Sequence, residues 1–298
     1  MSSSYEVPIT AWYAASARDL PWRQPGTGAW PVMVSEFMLQ QTPVARVLPA
    51  YQAWLERWPS PAALASATPA DAVRQWGRLG YPRRAVRLHA CARIIVAEHG
   101  GEVPASLAAL RSLPGVGSYT AAAVATFAFG HRHPVLDTNV RRVLARLVGG
   151  QENASGSSAS VAEVALAQSL LPPADANRSA RWSVAIMELG ALVCTATRPS
   201  CERCPVRSEC AWQQGGCPPG APQRRAPRYE GSDRQCRGAI LAALRGASGP
   251  IHVAQVDACW PERAQRTRVL AALLADGLVV RHAHDLVGLP GDAPPPGL

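Results

Sequence analysis

Four cysteines, Cys194, Cys201, Cys204 and Cys210, stand with six, two and five residues between successive members. A structural zinc site pairs its ligands as two close doublets. One distant thiol leading a compact trio suits instead a cubane iron-sulfur cluster, whose soft iron takes four thiolates. Arg198, Arg203 and Arg207 lie inside this loop, so a ligated loop would offer cations to a phosphate backbone. Cys91, Cys217, Cys236 and Cys259 show no partner pattern, and no disulfide framework is expected of a cytoplasmic chain. Two carboxylates are the other chemical candidates. Asp137 opens the segment TNVRRVLARLVG, where local rules make it an N-cap. Glu36 sits among Val32, Met33, Phe37 and Met38, where a lone acid usually marks a solvated face.

The element that must position these groups is Leu113 to Asp137. It begins with the turn Pro114-Gly115-Val116-Gly117 and continues through an uncharged segment, Ser118 to Phe129. Two glycines around a valine suit a tight hairpin between helices, with positive φ available and backbone N–H groups exposed. Such groups at a helix N-terminus attract anions. The absence of charge predicts a buried helix that pins the hairpin to a core.

Around it, apolar spacing predicts helices at Ile9 to Arg18, Val32 to Gln41, Val44 to Arg57, Pro61 to Ala67, Pro69 to Trp76, Arg83 to His99, Ala105 to Leu110, Val161 to Leu170 and Arg178 to Val193. Short polar joints and almost no alternating segments make this part all-α. Gln40-Gln41-Thr42-Pro43 ends one helix in hydrogen-bonding groups suited to bases or sugars. Gly77-Arg-Leu-Gly-Tyr81-Pro82 is a turn with an aromatic beside arginines.

With 298 residues, 48% of them apolar, the chain is long enough for a large core or two domains. No run of eighteen apolar residues and no signal-like N-terminus is present, so a cytoplasmic, nucleoid-associated protein without membrane contact is expected. The net charge is +9, and every one of the thirty basic residues is arginine. That balance favours an anionic partner such as nucleic acid, although a GC-rich genome also drives lysine to arginine.

Taken together, LPGVGSYTA, the downstream Asp137 and the six-two-five cysteines resemble the helix-hairpin-helix DNA glycosylases that carry an iron-sulfur cluster. LPWR at Leu20 to Arg23, SEFMLQQT at Ser35 to Thr42, LGYPRRA at Leu79 to Ala85, LDTNVRRVLAR at Leu136 to Arg146 and MELGALVC at Met187 to Cys194 are similar to the adenine DNA glycosylases among them. The resemblance runs from about Ala11 to Cys210. It implies a two-lobed body over residues 1–217, with a six-helix lobe at about 24–133 and a cluster lobe from 1–23 and 134–217, holding a [4Fe-4S] cluster on Cys194, Cys201, Cys204 and Cys210.

The activity it implies is hydrolysis of the N-glycosidic bond of adenine opposite 8-oxoguanine or guanine in double-stranded DNA, by a monomer. Adenine leaves poorly as an anion. Glu36 would therefore protonate N7 from a dry pocket, while Asp137 stays ionised below the sugar, the two carboxylates dividing acid and anion work. Tyr119 and Asn139 would orient the pair. Gln41 would fill the gap left by the flipped base. Arg23, Gln40, Thr42, Tyr81, Gly115, Val116, Gly117 and Ser118 would complete the DNA contacts, the glycines holding a phosphate.

Two positions depart from the pattern: Pro82 replaces a second tyrosine that relatives wedge into the duplex, and Val184 replaces a polar residue directed at adenine. Tyr119 occupies the place of the lysine that makes relatives strand-cleaving, so a monofunctional enzyme is expected. The fold would serve two other classes, a thymine or uracil glycosylase acting opposite guanine and a non-catalytic clamp. Gln40 and Gln41 favour adenine over the first, and Glu36 with Asp137 disfavour the second.

Past a Gly/Pro/Arg-rich linker at 218–229, the tail is too short for the Nudix-like domain of many relatives. Helices at Asp233 to Arg245, His252 to Trp260 and Pro261 to Ala275, then a hairpin through Ala283-His-Asp285, predict a winged-helix-like module over 230–298.

Overall fold

The computed structural model describes residues 4–173, 176–221 and 228–293. The middle of the linker and the last five residues of the module lie outside them. The chain divides into two compact units. One joins Met1–Met33, Ala105–Ser112 and Val116–Gln223; the other joins Val34–Pro104, Leu113–Gly115 and Arg224–Leu298. This division assigns the hairpin helices to the unit with Cys194, Cys201, Cys204 and Cys210 and the C-terminal module to the unit of the early helices, a grouping different from the lobes expected from sequence. Among the described residues no helix is long and apolar enough to cross a membrane.

In the first unit, α1 (Glu6–Ser16) and α9 (Thr138–Leu147) both pack on α11 (Ala176–Leu192). Ile9, Val143, Leu144, Trp182, Ile186 and Leu189 are the centre of that core. Glu188, fully buried on α11, receives Arg18 through two guanidinium nitrogens at 2.7 Å each and Arg23 at 2.8 Å. Burial works against that charge, but the hydrogen bonds and the arginine cations outweigh it and hold the carboxyl at about 2. Helix α8 (Ser118–Phe129) is buried from Thr120 to Thr126, as its lack of charge predicts. Helix α10 (Val161–Leu170) starts with a capping box between Ser160 and Glu163.

In the second unit, α3 (Val44–Arg57), α4 (Pro61–Ala65), α5 (Pro69–Trp76) and α6 (Arg83–Glu98) pack around Trp54, Trp58 and Trp76. The rings of Trp58 and Trp76 meet that of Trp54 edge-on at 4.6 and 5.5 Å. The module follows as α13 (Asp233–Gly246), β1 (Ile251–His252), α14 (Val253–Asp257), α15 (Arg263–Ala275), β2 (Val280–Arg281) and β3 (Leu286–Gly288). The strand order is β1-β3-β2, antiparallel throughout, with Ile251 opposite Val287 and Val280 opposite Gly288. This is the topology of a winged helix. The helix expected from His252 to Trp260 is shorter, because His252 joins a strand and its ring nitrogen caps α14 through Ala254 N–H.

Candidate active site and cluster loop

Cys194 follows the end of α11, Cys201 opens a single 3₁₀ turn, Cys204 closes it and Cys210 caps the short helix α12 (Ala211–Gln214). All four sulfurs border one apolar core. Burial pushes the Cys204 thiol up to about 11, with the neighbouring Cys194, Cys210 and Cys201 adding to it, and raises Cys201 in the same way. The thiols of Cys201 and Cys204 therefore ionise more readily with a cation to bind them.

The fold supplies positive charge beside them. Arg146 is 1% exposed. It donates to the carbonyls of Glu152 and Thr195 at 2.8 Å and of Ala196 at 3.4 Å, lies over the Trp212 ring, and reaches Cys194 Sγ at 3.4 Å. Soft thiols beside a buried cation are the kind of donors a thiolate-bound cluster uses, while among the described residues no three of them are drawn together as a metal site. Arg198, Arg203 and Arg207 are exposed around it. Cys217, which shows no pattern in sequence, borders the same core, and Gln213 donates to its sulfur at 3.1 Å.

Asp137 caps α9, as its local position predicts: Val140 N–H donates to Oδ1 at 2.6 Å. Its other oxygen accepts from Asn139 Nδ2 at 2.8 Å. The network continues. Asn139 Oδ1 accepts from Arg142, which donates to the carbonyls of Gly190 at 2.6 Å and Cys194 at 2.7 Å. One chain of hydrogen bonds thus runs from the carboxylate to the backbone carbonyl of Cys194. Burial raises the Asp137 pKa above the ordinary aspartate value, against the pull of these donors and of Arg142. Tyr119, half-buried, packs with Ala122, Ala123, Val135 and Met187 in the same unit.

Glu36 is 5% exposed on α2 (Ala29–Leu39), between Ser35 and Phe37. It therefore departs from the solvated face that an isolated acid suggests. The end of this helix is shaped by a residue outside the candidates read from the sequence. Arg84, 6% exposed, donates one guanidinium nitrogen to the carbonyls of Phe37 at 2.9 Å, Met38 at 3.0 Å and Gln40 at 2.6 Å. Its other nitrogen reaches Thr42 Oγ1 at 2.9 Å and Gly80 O at 3.1 Å.

Arg84 closes the carbonyl end of the helix that bears Glu36 and ties it to the turn that bears Tyr81. Burial brings its pKa down to about 10. Two residues at this junction hold positive φ, Gln41 at 54° and Tyr81 at 48°, and both are exposed. Strained, exposed side chains on a rigid base are a mark of function.

Of the hairpin glycines, Gly115 has φ 80°, and a Cβ there would meet Arg87 Cβ at 2.8 Å and Phe37 at 3.0 Å. Gly117, expected to share that conformation, is extended at φ −85° and ψ −179°. It and Ser118 are exposed at the start of α8, whereas Val116 is buried. Arg23 is engaged by Glu188 and is 15% exposed in its side chain. Val184 is half-buried on α11; beside it, Ser183 Oγ is buried without a hydrogen-bond partner among the described residues. Arg84, Arg142 and Glu188 escaped sequence reasoning although all lie within the quoted motifs. The signal was an RR doublet in LGYPRRA and LDTNVRRVLAR, and an acid inside MELGALVC.

Residues 34–166 match the family of HhH-GPD superfamily base excision DNA repair proteins. An adenine DNA glycosylase of Mycobacterium tuberculosis (strain ATCC 25618 / H37Rv) is 51% identical over 289 residues, covering 96% of this chain and 94% of its own. That of Mycolicibacterium smegmatis is 50% identical over 287 residues, with 96% of each chain covered. Among solved structures, a thermostable thymine-DNA glycosylase superposes with a TM-score of 0.64 at 25% identity, over 71% of this chain and 95% of its own. The chain belongs to the adenine DNA glycosylase family.

Proposed function

We propose that the chain hydrolyses the N-glycosidic bond of adenine opposite 8-oxoguanine or guanine and leaves an intact abasic strand. The observation that carries this reading is Asp137, a carboxylate held by two donors at the start of α9 while burial raises its pKa. An anion that burial disfavours is stabilised when positive charge develops next to it, so a cationic sugar would be held better than the neutral nucleoside. Glu36, in dry surroundings, supplies the proton to adenine, and Gln41 enters the space of the extruded base. Cys194, Cys201, Cys204 and Cys210 hold a [4Fe-4S] cluster, which when bound cross-links the loop bearing Arg198, Arg203 and Arg207.

Single-turnover excision on duplexes with A opposite 8-oxoguanine, A opposite G and T opposite G tests the substrate. Adenine release from the first two and no thymine release is the expected outcome. Glu36→Gln and Asp137→Asn should each abolish excision and keep mismatch binding, because neither removes a phosphate contact. Excision near the wild-type rate by either variant overturns its role. Iron and acid-labile sulfide in stoichiometric amount, lost in Cys201→Ser, test the cluster. Strand cleavage through a Schiff base requires a primary amine, and a chain without lysine offers only its N-terminus. Borohydride should therefore trap no covalent protein–DNA adduct, and adduct yields matching turnover would refute a purely hydrolytic enzyme.

A further inference from the structure

The winged-helix module over 230–298 is neutral, with seven carboxylates against seven arginines, so the net charge of +9 resides elsewhere. Several of its arginines are spent within the module: Arg266 on Asp257, Arg268 on Asp233 and Arg237 on Asp276. Its contact with the early helices consumes more. Arg74 of α5 forms a two-pronged pair with Asp292, at 2.8 and 3.0 Å, and donates to Ala247 O at 3.2 Å, while Arg83 of α6 meets Asp276 at 3.1 Å.

Between Arg74 and Arg83 lies Arg78, in the turn that presents Tyr81, and it has no carboxylate partner among the described residues. Arg46 of α3 donates to its backbone carbonyl. Arg245, in the last turn of α13 and two residues before the Ala247 carbonyl that Arg74 grips, is half-buried and also lacks a carboxylate. Burial and the like charge of Arg78 both lower its pKa. Paired arginines thus flank uncompensated ones of like charge, and the exposed ring of Tyr81 stands in the same turn. Clustered cations beside a stacking surface form a nucleic-acid footprint.

We propose that Arg78 and Arg245, with Arg46 at their side, bind a backbone phosphate of duplex DNA, so that the C-terminal module contributes to binding through α13 rather than through α15. The site rests on the DNA-directed reading above but is indifferent to base and mismatch, since it faces a phosphodiester.

The test is equilibrium binding of the full chain to an undamaged duplex, and to the same duplex with A opposite 8-oxoguanine, over a salt series. Arg245→Gln and Arg78→Gln should each lower the slope of log K against log salt by about 0.9, the value for one phosphate. Both duplexes should weaken by the same factor. The double variant should lose little more than either single one, because one phosphate is shared. Arg268→Gln, already paired with Asp233, should leave the slope unchanged, and Arg245→Lys should restore it. Melting of Arg245→Gln at or above the wild-type temperature excludes misfolding as the cause, since the substitution removes a half-buried charge facing a like one. A wild-type slope in both single variants overturns the site. A slope loss equal in Arg268→Gln overturns the assignment to α13. Failure to excise adenine would sink the proposed activity and leave the salt measurement able to decide this one.

Discussion

Helices α9 and α15 share the letters Arg-Val-Leu-Ala, at Arg142–Ala145 and Arg268–Ala271, and each carries three arginines. In α9 they turn inward. Arg142 and Arg146 donate to backbone carbonyls of the cysteine loop, and Arg141 to Glu163 and Ser155 O. In α15, Arg268 and Arg266 meet single exposed carboxylates of their own module, and Arg263 is exposed. The difference lies in what surrounds each helix. The cysteine loop leaves carbonyls of irregular backbone pointing at α9, and buried carbonyls must find donors. The regular helix α13 packed on α15 satisfies its own, and among the described residues only Arg266 of α15 serves a carbonyl, that of Trp260 in the turn before the helix. Arginine with five donors fits the first setting; in the second, Arg263 and Arg268 are solvated charges.

The largest break in this comparison should come from Arg146→Met, which strands the carbonyls of Glu152 and Thr195 and removes the cation beside Cys194. A loss of about 3–5 kcal/mol is expected, read as a fall in unfolding midpoint with loss of bound iron. Acid should come next. Glu188 is held at about 2 against an ordinary 4.5, so its contribution of roughly 3 kcal/mol is complete above pH about 4.5, declines as pH falls and is gone below about 2. Denaturant titration of wild type and Glu188→Gln across that window should show the two curves converging as pH drops.

Arg142→Gln should cost less, about 1–3 kcal/mol, but should slow excision while leaving affinity for the mismatch intact, because it releases Asn139 from its orienting bond. A pH profile sharpens this. If the proposed role of ionised Asp137 holds, its raised pKa makes the rate fall as pH drops through a value above that of an ordinary aspartate, and the limb should move further up in Asn139→Ala, which removes a donor to the anion. The smallest effect belongs to Arg268→Ala, whose unfolding midpoint should match wild type, as for other exposed pairs.

Segments with proline, a capping side chain or a glycine at their ends were legible in the sequence. Val44–Arg57, Pro69–Trp76, Ser118–Phe129 and Val161–Leu170 have the bounds that their punctuation implies. The hairpin of β2 and β3 was legible too, and β1 was not. Ile251–His252 pairs with Leu286–Gly288 more than thirty residues on, and no local rule carries that distance. Of the site, the residue types were readable and their partners were not. Asp137 was visible as a cap, and the donor from Asn139 follows from spacing. What Arg84 and Arg142 do was hidden, since an arginine that serves carbonyls leaves no complementary acid in the sequence to betray it. Gly117 misled for the converse reason: glycine permits positive φ without requiring it.

Helix α11 passes α9 at Gly190, where a Cβ would lie 2.8 Å from Asn139 Cβ and 2.9 Å from its carbonyl oxygen. The gap between the two helices is therefore filled by a hydrogen atom. Adding one methyl group would move Asn139, and with it the grip on Asp137, without altering any group that meets DNA. In a population of variants, Gly190→Ala would look harmless by chemistry and exposure, yet it should behave as a loss of adenine excision in a protein that still folds.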